Sequence, residues 1–212
     1  MKYRAVRGTK DILPEESGIW QKTVLKARET FGLYGYLEIS TPIIEETELF
    51  TRGLGEASEV VMKEMYSFKD KKGRDISLRP EGTAGVIRAY LENNLDKIYE
   101  TAKLYYIGPM FRYDNPQAGR YRQHWQIGCE AIGSANPALD AEVISLVFNI
   151  FSSIGIADME LQINSIGCPE CRKKYTEDIK KALILSEQSL CEDCKNKLKR
   201  NPMRITAMRT WK

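Results

Sequence analysis

Six side chains suited to holding an anion and a polar ligand lie close together in the stretch Tyr105–Gly133, YYIGPMFRYDNPQAGRYRQHWQIGCEAIG: Arg112, Arg120, Arg122, Gln123, Gln126 and Glu130. Guanidiniums present planar, bidentate donors to carboxylates and phosphates, while a carboxylate and amides supply acceptors for a ligand's N–H groups. Both arms of the stretch are rich in aromatic and aliphatic residues, and Asn115, Pro116 and Gly119 between them are strong turn formers. Two antiparallel strands joined by a long loop are therefore predicted. Strand alternation sets Gln126, Gly128 and Glu130 on one face, with Arg122 and His124 leading back to the loop. An acid buried there, two pleats from an amide and beside guanidiniums, is costly unless a ligand or partner compensates it. A solvated basic hairpin, or one side of a structural ion-pair network, would use the same residue types.

A second chemistry is suggested by Cys168-Pro-Glu-Cys171 and Cys191-Glu-Asp-Cys194, two C-x-x-C pairs separated by a segment in which Tyr175, Ile179, Ala182 and Leu183 fall at helical spacing. This is the spacing of tetrahedral four-cysteine zinc sites, and a closed set of four thiolates leaves no open position for catalysis, so structural Zn2+ is expected. Cys129 alternates with Gly128 and Glu130 and is expected simply to pack. His124 is the only histidine in the chain, which excludes a histidine-based triad and a multi-histidine metal site.

These residues need elements to position them. Pro14 stands where a helix can begin, and Trp20, Val24, Ala27 and Phe31 recur at helical spacing until Gly32 and Gly35. A strand from Tyr36 to Ser40 follows and ends at Thr41-Pro42, where a proline cannot donate to a central ladder, so the strand end belongs at an edge or an interface. Met65–Phe68 and Ile76–Leu78 flank the polar DKKGRD and read as a surface hairpin. Arg79-Pro80-Glu81-Gly82-Thr83 then opens a helix to about Leu95, with Glu81 and Thr83 at the strand-to-helix junction, where they could equally serve as its caps. Asn136-Pro137 opens a mostly apolar helix to about Ile154, and Met159–Asn164 reads as a strand. Strands and helices mix without regular βαβ alternation, so the predicted class is α+β, an antiparallel sheet flanked by helices.

The chain has 212 residues, 32 Lys and Arg against 29 Asp and Glu, and a net charge of +3. It is long enough for one domain plus an appendage. Its weak positive charge is compatible with nucleic acid without arguing for it. No apolar run approaches a membrane span and the start, MKYRAVRGTK, lacks the apolar core of a secretory signal, so a cytoplasmic protein is expected. Five cysteines, four of them in close pairs, suit a reducing compartment with a metal site better than a disulfide framework.

FRYDNPQAGRYRQ, followed by Gln126-x-Gly128-x-Glu130, resembles motif 2 of the class II aminoacyl-tRNA synthetases in the form used by histidyl-tRNA synthetases. VRGTKDILP, TPIIEETELFTRGLGEASEVVMKEMYSF and SLRPEGTAGVIRAY are similar to further segments of that family, in the family's order, and the likeness runs from Tyr3 to about Ile205. The resemblance implies a class II catalytic core over residues 1–165, holding motifs 1 and 2, and the start of an insertion region with the cysteine pairs over 166–212. It implies activation of histidine by ATP with Mg2+ and transfer to tRNA(His), with homodimerisation through the helix, strand and Pro42 of motif 1. By the same resemblance, Arg112 is the catalytic arginine that holds the α-phosphate and the substrate carboxylate. Arg120 reaches the β- and γ-phosphates, Tyr121, Arg122 and Gln123 support the loop and its ATP contacts, and Asp114 stands near the adenine. Glu81, Thr83 and Gln126 surround the α-amino group, and Glu130 reads the imidazole. The chain departs from the family's Q-F-H-Q at Gln123-His124-Trp125-Gln126, which makes His124 the group expected to stack on adenine.

Relatives continue past K-R-N-P-M-R-I with an L-D-C-K-like stretch, an R-G-L-D-Y-Y segment, motif 3 and an anticodon-binding domain, none of which is found here. The expectation is therefore a truncated catalytic fragment with impaired activity. Two other readings remain. One is a non-catalytic, synthetase-like regulatory subunit of histidine biosynthesis, which would have no reason to keep Arg112 and Arg120. The other is a zinc-stabilised nucleic-acid-binding module, recognisable by steeply salt-dependent RNA binding.

Overall fold

The structure, a computed structural model, describes residues 3–54, 60–115, 117–164 and 167–206. Pro116 of the predicted turn, and residues 55–59 within the segment TPIIEETELFTRGLGEASEVVMKEMYSF, lie outside the described residues. Contacts divide the chain into two compact units, Met1–Asp158 and Met159–Lys212.

The predicted hairpin is the spine of the first unit. Strand β5 (Ala102–Phe111) pairs antiparallel with β6 (Gln123–Ile132) from Ala102 opposite Ile132 to Phe111 opposite Gln123. The short strand β1 (Leu37–Glu38) lies on the other side of β5, parallel to it. Among the described strands this is the one departure from an antiparallel arrangement, and the long connection between β1 and β5 in sequence allows it. The second sheet is antiparallel throughout, in the order β2 (Ile44–Glu46), β4 (Asp75–Leu78), β3 (Tyr66–Lys69).

Alternation along β5 and β6 builds two different cores. On one face, Leu104, Tyr106 and Met110 pack with Val86 and Tyr90 of helix α3 (Thr83–Glu92). On the other, Tyr105, Ile107, Ile127, Cys129 and Ala131 meet Ala27 and Phe31 of α1 (Pro14–Leu33) and Leu146 and Ile150 of α4 (Pro137–Ser153). Phe31 stacks on Tyr105 with ring centroids 4.3 Å apart and planes 8° from parallel. Burying each such side chain contributes about 1.5–3 kcal/mol. Cys129 packs as expected, and burial pushes its thiol up to about 11. The proline starts of α1 and α4 fall where the sequence puts them; Asn136 caps α4 by accepting from the Ala138 N–H at 2.9 Å.

Three details differ from the sequence reading. The strand expected over Tyr36–Ser40 is shorter, because regular pairing with β5 stops just before Thr41-Pro42 breaks the ladder. Helix α3 ends at Glu92, where Asn94 takes a left-handed conformation (φ 52°) and a single 3-10 turn, Leu95–Lys97, follows. Met159–Asn164 is irregular, with Leu161 and Ile163 exposed. Alternating apolar residues favour a strand only where a neighbouring strand accepts their hydrogen bonds, and none does so among the described residues.

Arg79 joins the two sheets of the first unit. Its Nε donates to the Pro109 carbonyl at 2.9 Å, and its Nη1 donates to the Thr41 carbonyl at 2.8 Å and to Thr41 Oγ1 at 3.3 Å. The guanidinium lies directly over Gly108, where any Cβ would collide with it. Its backbone adds two more links, the Arg79 N–H to Ile43 O and the Phe111 N–H to Arg79 O, each 2.9 Å. Arg88 of α3 ties that helix to β2 through an ion pair with Glu45, and also pairs with Glu92 at 2.9 Å. Helix α2 (Thr47–Leu54) follows β2.

The second unit is helical, with α5 (Pro169–Ile184), α6 (Glu192–Arg200) and α7 (Met203–Thr206). Leu183, Leu198 and Ile205 form its core, with Ile179, Leu190 and Cys194 against them. No helix among the described residues is long and apolar enough to cross a membrane.

Replacing Arg79 by alanine leaves the part-buried carbonyls of Pro109 and Thr41 without this donor, at a cost of about 1–3 kcal/mol. A lower urea-denaturation midpoint with an unchanged slope is the expected result; an unchanged midpoint would show that the clamp contributes nothing.

Candidate ligand site

The face shared by β5, β6 and the start of α3 brings together most of the residues singled out in the sequence. Glu81 turns its carboxylate onto the first turn of α3. Its Oε2 accepts from the Thr83 N–H at 2.6 Å and its Oε1 from the Ala84 N–H at 2.9 Å. The acid therefore satisfies two of the otherwise unpaired amides at a helix N-terminus, where negative charge is favoured. Thr83 Oγ1, fixed by that turn, donates to Glu130 Oε1 at 2.7 Å. Glu81, Thr83 and Glu130 thus form one connected group.

Burial pushes the Glu130 carboxyl above the usual glutamate range; the Thr83 hydroxyl opposes the shift, the charge of Glu81 adds to it, and the Tyr106 hydroxyl opposes it again. A carboxyl raised in this way costs the free protein stability as pH climbs from the ordinary glutamate range to the raised value, because the unfolded chain ionises first. A ligand carrying positive charge or N–H donors would offset the cost. Gln126, on the same face of β6, has its Oε1 buried with no hydrogen-bond partner among the described residues. Such an acceptor is expensive to bury unpaired and is free to receive a ligand's donor.

At the loop end of the hairpin the cations are arranged differently. Arg112 is half-buried and donates from Nε to the Pro80 carbonyl at 2.8 Å. Its two terminal amino groups have no protein acceptor among the described residues. His124 sits beside it, and burial together with the Arg112 charge holds the imidazole below the ordinary histidine range. Arg120 forms an ion pair with Asp114 at 3.2 Å, with the arginine side chain 61% exposed, an arrangement that contributes little by itself. Tyr121 on the same loop and Gln123 at the start of β6 are exposed.

Arg122 has a scaffold role. Its guanidinium stacks 3.8 Å from the centre of the Tyr113 ring, its backbone N–H donates to Gly8 O at 2.7 Å, and its Nη1 donates to Arg7 O at 3.4 Å. Gly8, at φ +88°, lets the VRGTKDILP segment pass close over the Arg122 stem. The amino-terminal segment is thereby fastened to the loop. Trp125 points to the opposite face of the sheet and meets Trp20 of α1 edge-on at 5.1 Å.

Tyr106 escaped the sequence reading. It lies opposite Gly128 in the hairpin register and its ring stands between Gly82 and Gly128, at either of which a Cβ would collide with it. Glycine inside a strand marks a close approach, so Gly128 was the available signal, but the identity of the approaching side chain depends on the register.

The four paired cysteines are not assembled into the expected zinc site. Cys168 is the N-cap of α5 and accepts from the Cys171 N–H at 3.4 Å, with both residues exposed. That backbone contact also holds the Cys168 thiol below its ordinary range. Cys191 is the N-cap of a different helix, α6, and Cys194 packs toward the Leu183 core. Among the described residues no group of three or more His, Cys, Asp or Glu is arranged to hold a metal. C-x-x-C spacing sets the geometry within each pair, whereas convergence of the pairs depends on how the helices pack.

A β-hairpin with basic residues in its loop and the acid Glu130 on its second strand, backed by helices on both faces, gathers donors and acceptors for a ligand on one side of the sheet. The family described as histidyl-tRNA synthetase matches residues 8–170. Histidine--tRNA ligase of Halothermothrix orenii is 55% identical over 205 residues, covering 97% of this chain and 49% of that protein. The structure of apo histidyl-tRNA synthetase from S. aureus superposes with a TM-score of 0.73 at 44% identity, covering 96% of this chain and 48% of that one. A protein described as an ATP phosphoribosyltransferase regulatory subunit/histidyl-tRNA synthetase from Bacillus halodurans C is more distant, at 25% identity and a TM-score of 0.65 over 74% of this chain and 40% of that one. The chain belongs to the histidyl-tRNA synthetase family, and it spans about half the length of the relatives it matches.

Because His124 is the only histidine, its titration can be read without ambiguity by NMR. Its midpoint is expected below that of a free histidine, with Arg112→Met moving it back up, since removing the neighbouring charge stops penalising the imidazolium. A midpoint unchanged by that substitution would separate the two side chains.

Proposed function

We propose that the chain forms the amino-terminal part of the catalytic domain of a histidine–tRNA ligase, which activates histidine with ATP and Mg2+ to histidyl-adenylate and transfers it to tRNA(His). The observation that carries this reading is the pair of carboxylates, Glu81 and Glu130, joined through Thr83 on a face that also holds the unpartnered Gln126 Oε1. That face offers acceptors and negative charge to a ligand with an α-ammonium group and a ring N–H. Glu81, Thr83 and Gln126 would surround the ammonium group, and Glu130 would accept from the imidazole.

Activation also brings the amino-acid carboxylate against the α-phosphate of ATP, two anions whose repulsion grows unless fixed donors neutralise it. Arg112 is suited to this because its Nε is already fixed on a backbone carbonyl, leaving its terminal amino groups for the reacting oxygens. Arg120 can exchange its exposed pair with Asp114 for the β- and γ-phosphates at little cost. Gln123 and Tyr121 support the loop, Asp114 lies toward the adenine, and His124 is the stacking group. Magnesium would arrive with the nucleotide and neutralise its phosphates. A reading as a regulatory subunit is weaker, since it leaves these arginines without a task.

The family supports a cytoplasmic homodimer. Leu33, Leu37, Ile43 and Ile44, in and around the motif 1 segment, are exposed, which suits an interface with a second copy.

Histidine-dependent exchange of pyrophosphate into ATP, measured on this chain beside a full-length relative, tests the reading, together with histidine binding by calorimetry. Glu130→Gln is expected to weaken histidine binding about 10- to 100-fold, the range for a hydrogen bond to a charged group, with ATP binding nearly unchanged. Equal losses of both ligands would sink the assignment of Glu130, and absence of histidine binding to the unaltered chain would sink the pocket.

A further inference from the structure

Tyr106 is buried on the ligand face, yet it is more than filler for the core. Its ring occupies a slot floored by two glycines, Gly82 at the start of α3 and Gly128 on β6, and a Cβ at either would meet ring or hydroxyl atoms. The slot holds the phenol hydroxyl against Gly128, on the strand face that carries Glu130 two residues along, where the hydroxyl favours the ionised form of that acid. A leucine or methionine would fill a core position equally well; only a tyrosine brings a donor to this point.

We infer that Tyr106 is a positioning residue for ligand specificity: seated between Gly82 and Gly128, it acts with Thr83 to orient the Glu130 carboxylate toward the ligand. The inference rests on the proposed role of Glu130 in reading an imidazole. Thr83 holds Oε1 of Glu130 at 2.7 Å, and a single hydroxyl contact leaves a carboxylate free to rotate about it. A second donor, on a ring whose place is set by its close passage over Gly82 and Gly128, restricts that freedom. Burial pushes the Tyr106 hydroxyl up to about 12, so it remains a protonated donor throughout the neutral range. The groups facing Glu130 are Thr83 and Glu81 from the start of α3 and Tyr106 from β5, with Cys129 next to it in the strand. Thr83 and Tyr106 favour the charged carboxylate, and Glu81 disfavours it.

Tyr106→Phe keeps the ring in its slot and deletes only the donor. Histidine binding by this variant, followed by calorimetry from about pH 5 to 8, is expected to weaken about 2- to 10-fold at neutral pH, the range for one hydrogen bond. Its loss of affinity on acidification should begin at higher pH than in the unaltered chain, because Glu130 has lost a group that favours its ionised form. The ligand's own imidazole titrates identically in both cases and cancels. Carbon-13 carboxyl titration without ligand gives a second readout, with the Glu130 midpoint moving up in Tyr106→Phe. A variant with unaltered affinity, acid limb and Glu130 midpoint would reduce Tyr106 to a packing residue and overturn the inference. Glu130→Gln run in parallel separates the two levels. Loss of histidine binding in Glu130→Gln with a silent Tyr106→Phe refutes the inference alone, whereas full binding by Glu130→Gln refutes the reading beneath it.

Discussion

The register of the β5–β6 hairpin is the constraint on which the rest of the first unit depends. Side chains alternate with a period of two, so a slip of one residue would exchange the two faces of the strand. Ala102 opposite Ile132 and Phe111 opposite Gln123 put Gln126 and Glu130 on the side of α3, and Ile127, Cys129 and Ala131 on the side of α1 and α4. The apolar core between strands and the α1–α4 pair therefore also orients the polar site. Slippage would bury Glu130 among Phe31, Leu146 and Ile150, a cost far larger than any local hydrogen bond could repay. Packing on one face enforces chemistry on the other.

Glycines shape that face by allowing large side chains to cross the backbone closely. Arg79 lies over Gly108 and Tyr106 over Gly128 and Gly82. The arginine is a desolvated cation, and burial lowers its affinity for the proton, but three acceptors from Thr41 and Pro109 surround it. It links the chain just after β1, the approach to α3 and the far end of β5, segments that adjoin the candidate ligand groups. Arg112 is fastened the same way, through Pro80 O. Donors and acceptors held by backbone carbonyls and amides reorganise little when a ligand arrives, which is the condition under which they stabilise developing charge most effectively.

The site is also divided electrically. Glu81 stands at the N-terminus of α3 and Glu130 beside it on β6, while Arg112, Arg120 and Arg122 stand toward the loop. A ligand with a positive end and a negative end would be oriented by that division before any specific contact formed. Arg122, although basic, is committed to Tyr113 and to the backbone of residues 7 and 8, so the loop has fewer cations to offer an anion than its sequence suggests.

Local patterns determined a good deal of this. The proline starts of α1 and α4, the Asn136 cap, the DKKGRD hairpin, the long hairpin and the shared face of Gln126 and Glu130 are all consequences of spacing, turn chemistry and alternation, which act over a few residues. Glu81 illustrates the limit: its place at a strand-to-helix junction was legible, as was its capping option, but its link through Thr83 to Glu130 joins residues 47 apart in sequence. Tyr106 reads as one more core aromatic until the register places it over Gly128. The parallel pairing of β1, the irregular Met159–Asn164 and the separate placement of the two cysteine pairs likewise follow from which segments meet. Spacing along the chain specifies what each residue can do with its near neighbours; a binding site needs groups from distant segments at fixed distances, and those distances are set only when the cores between the segments pack.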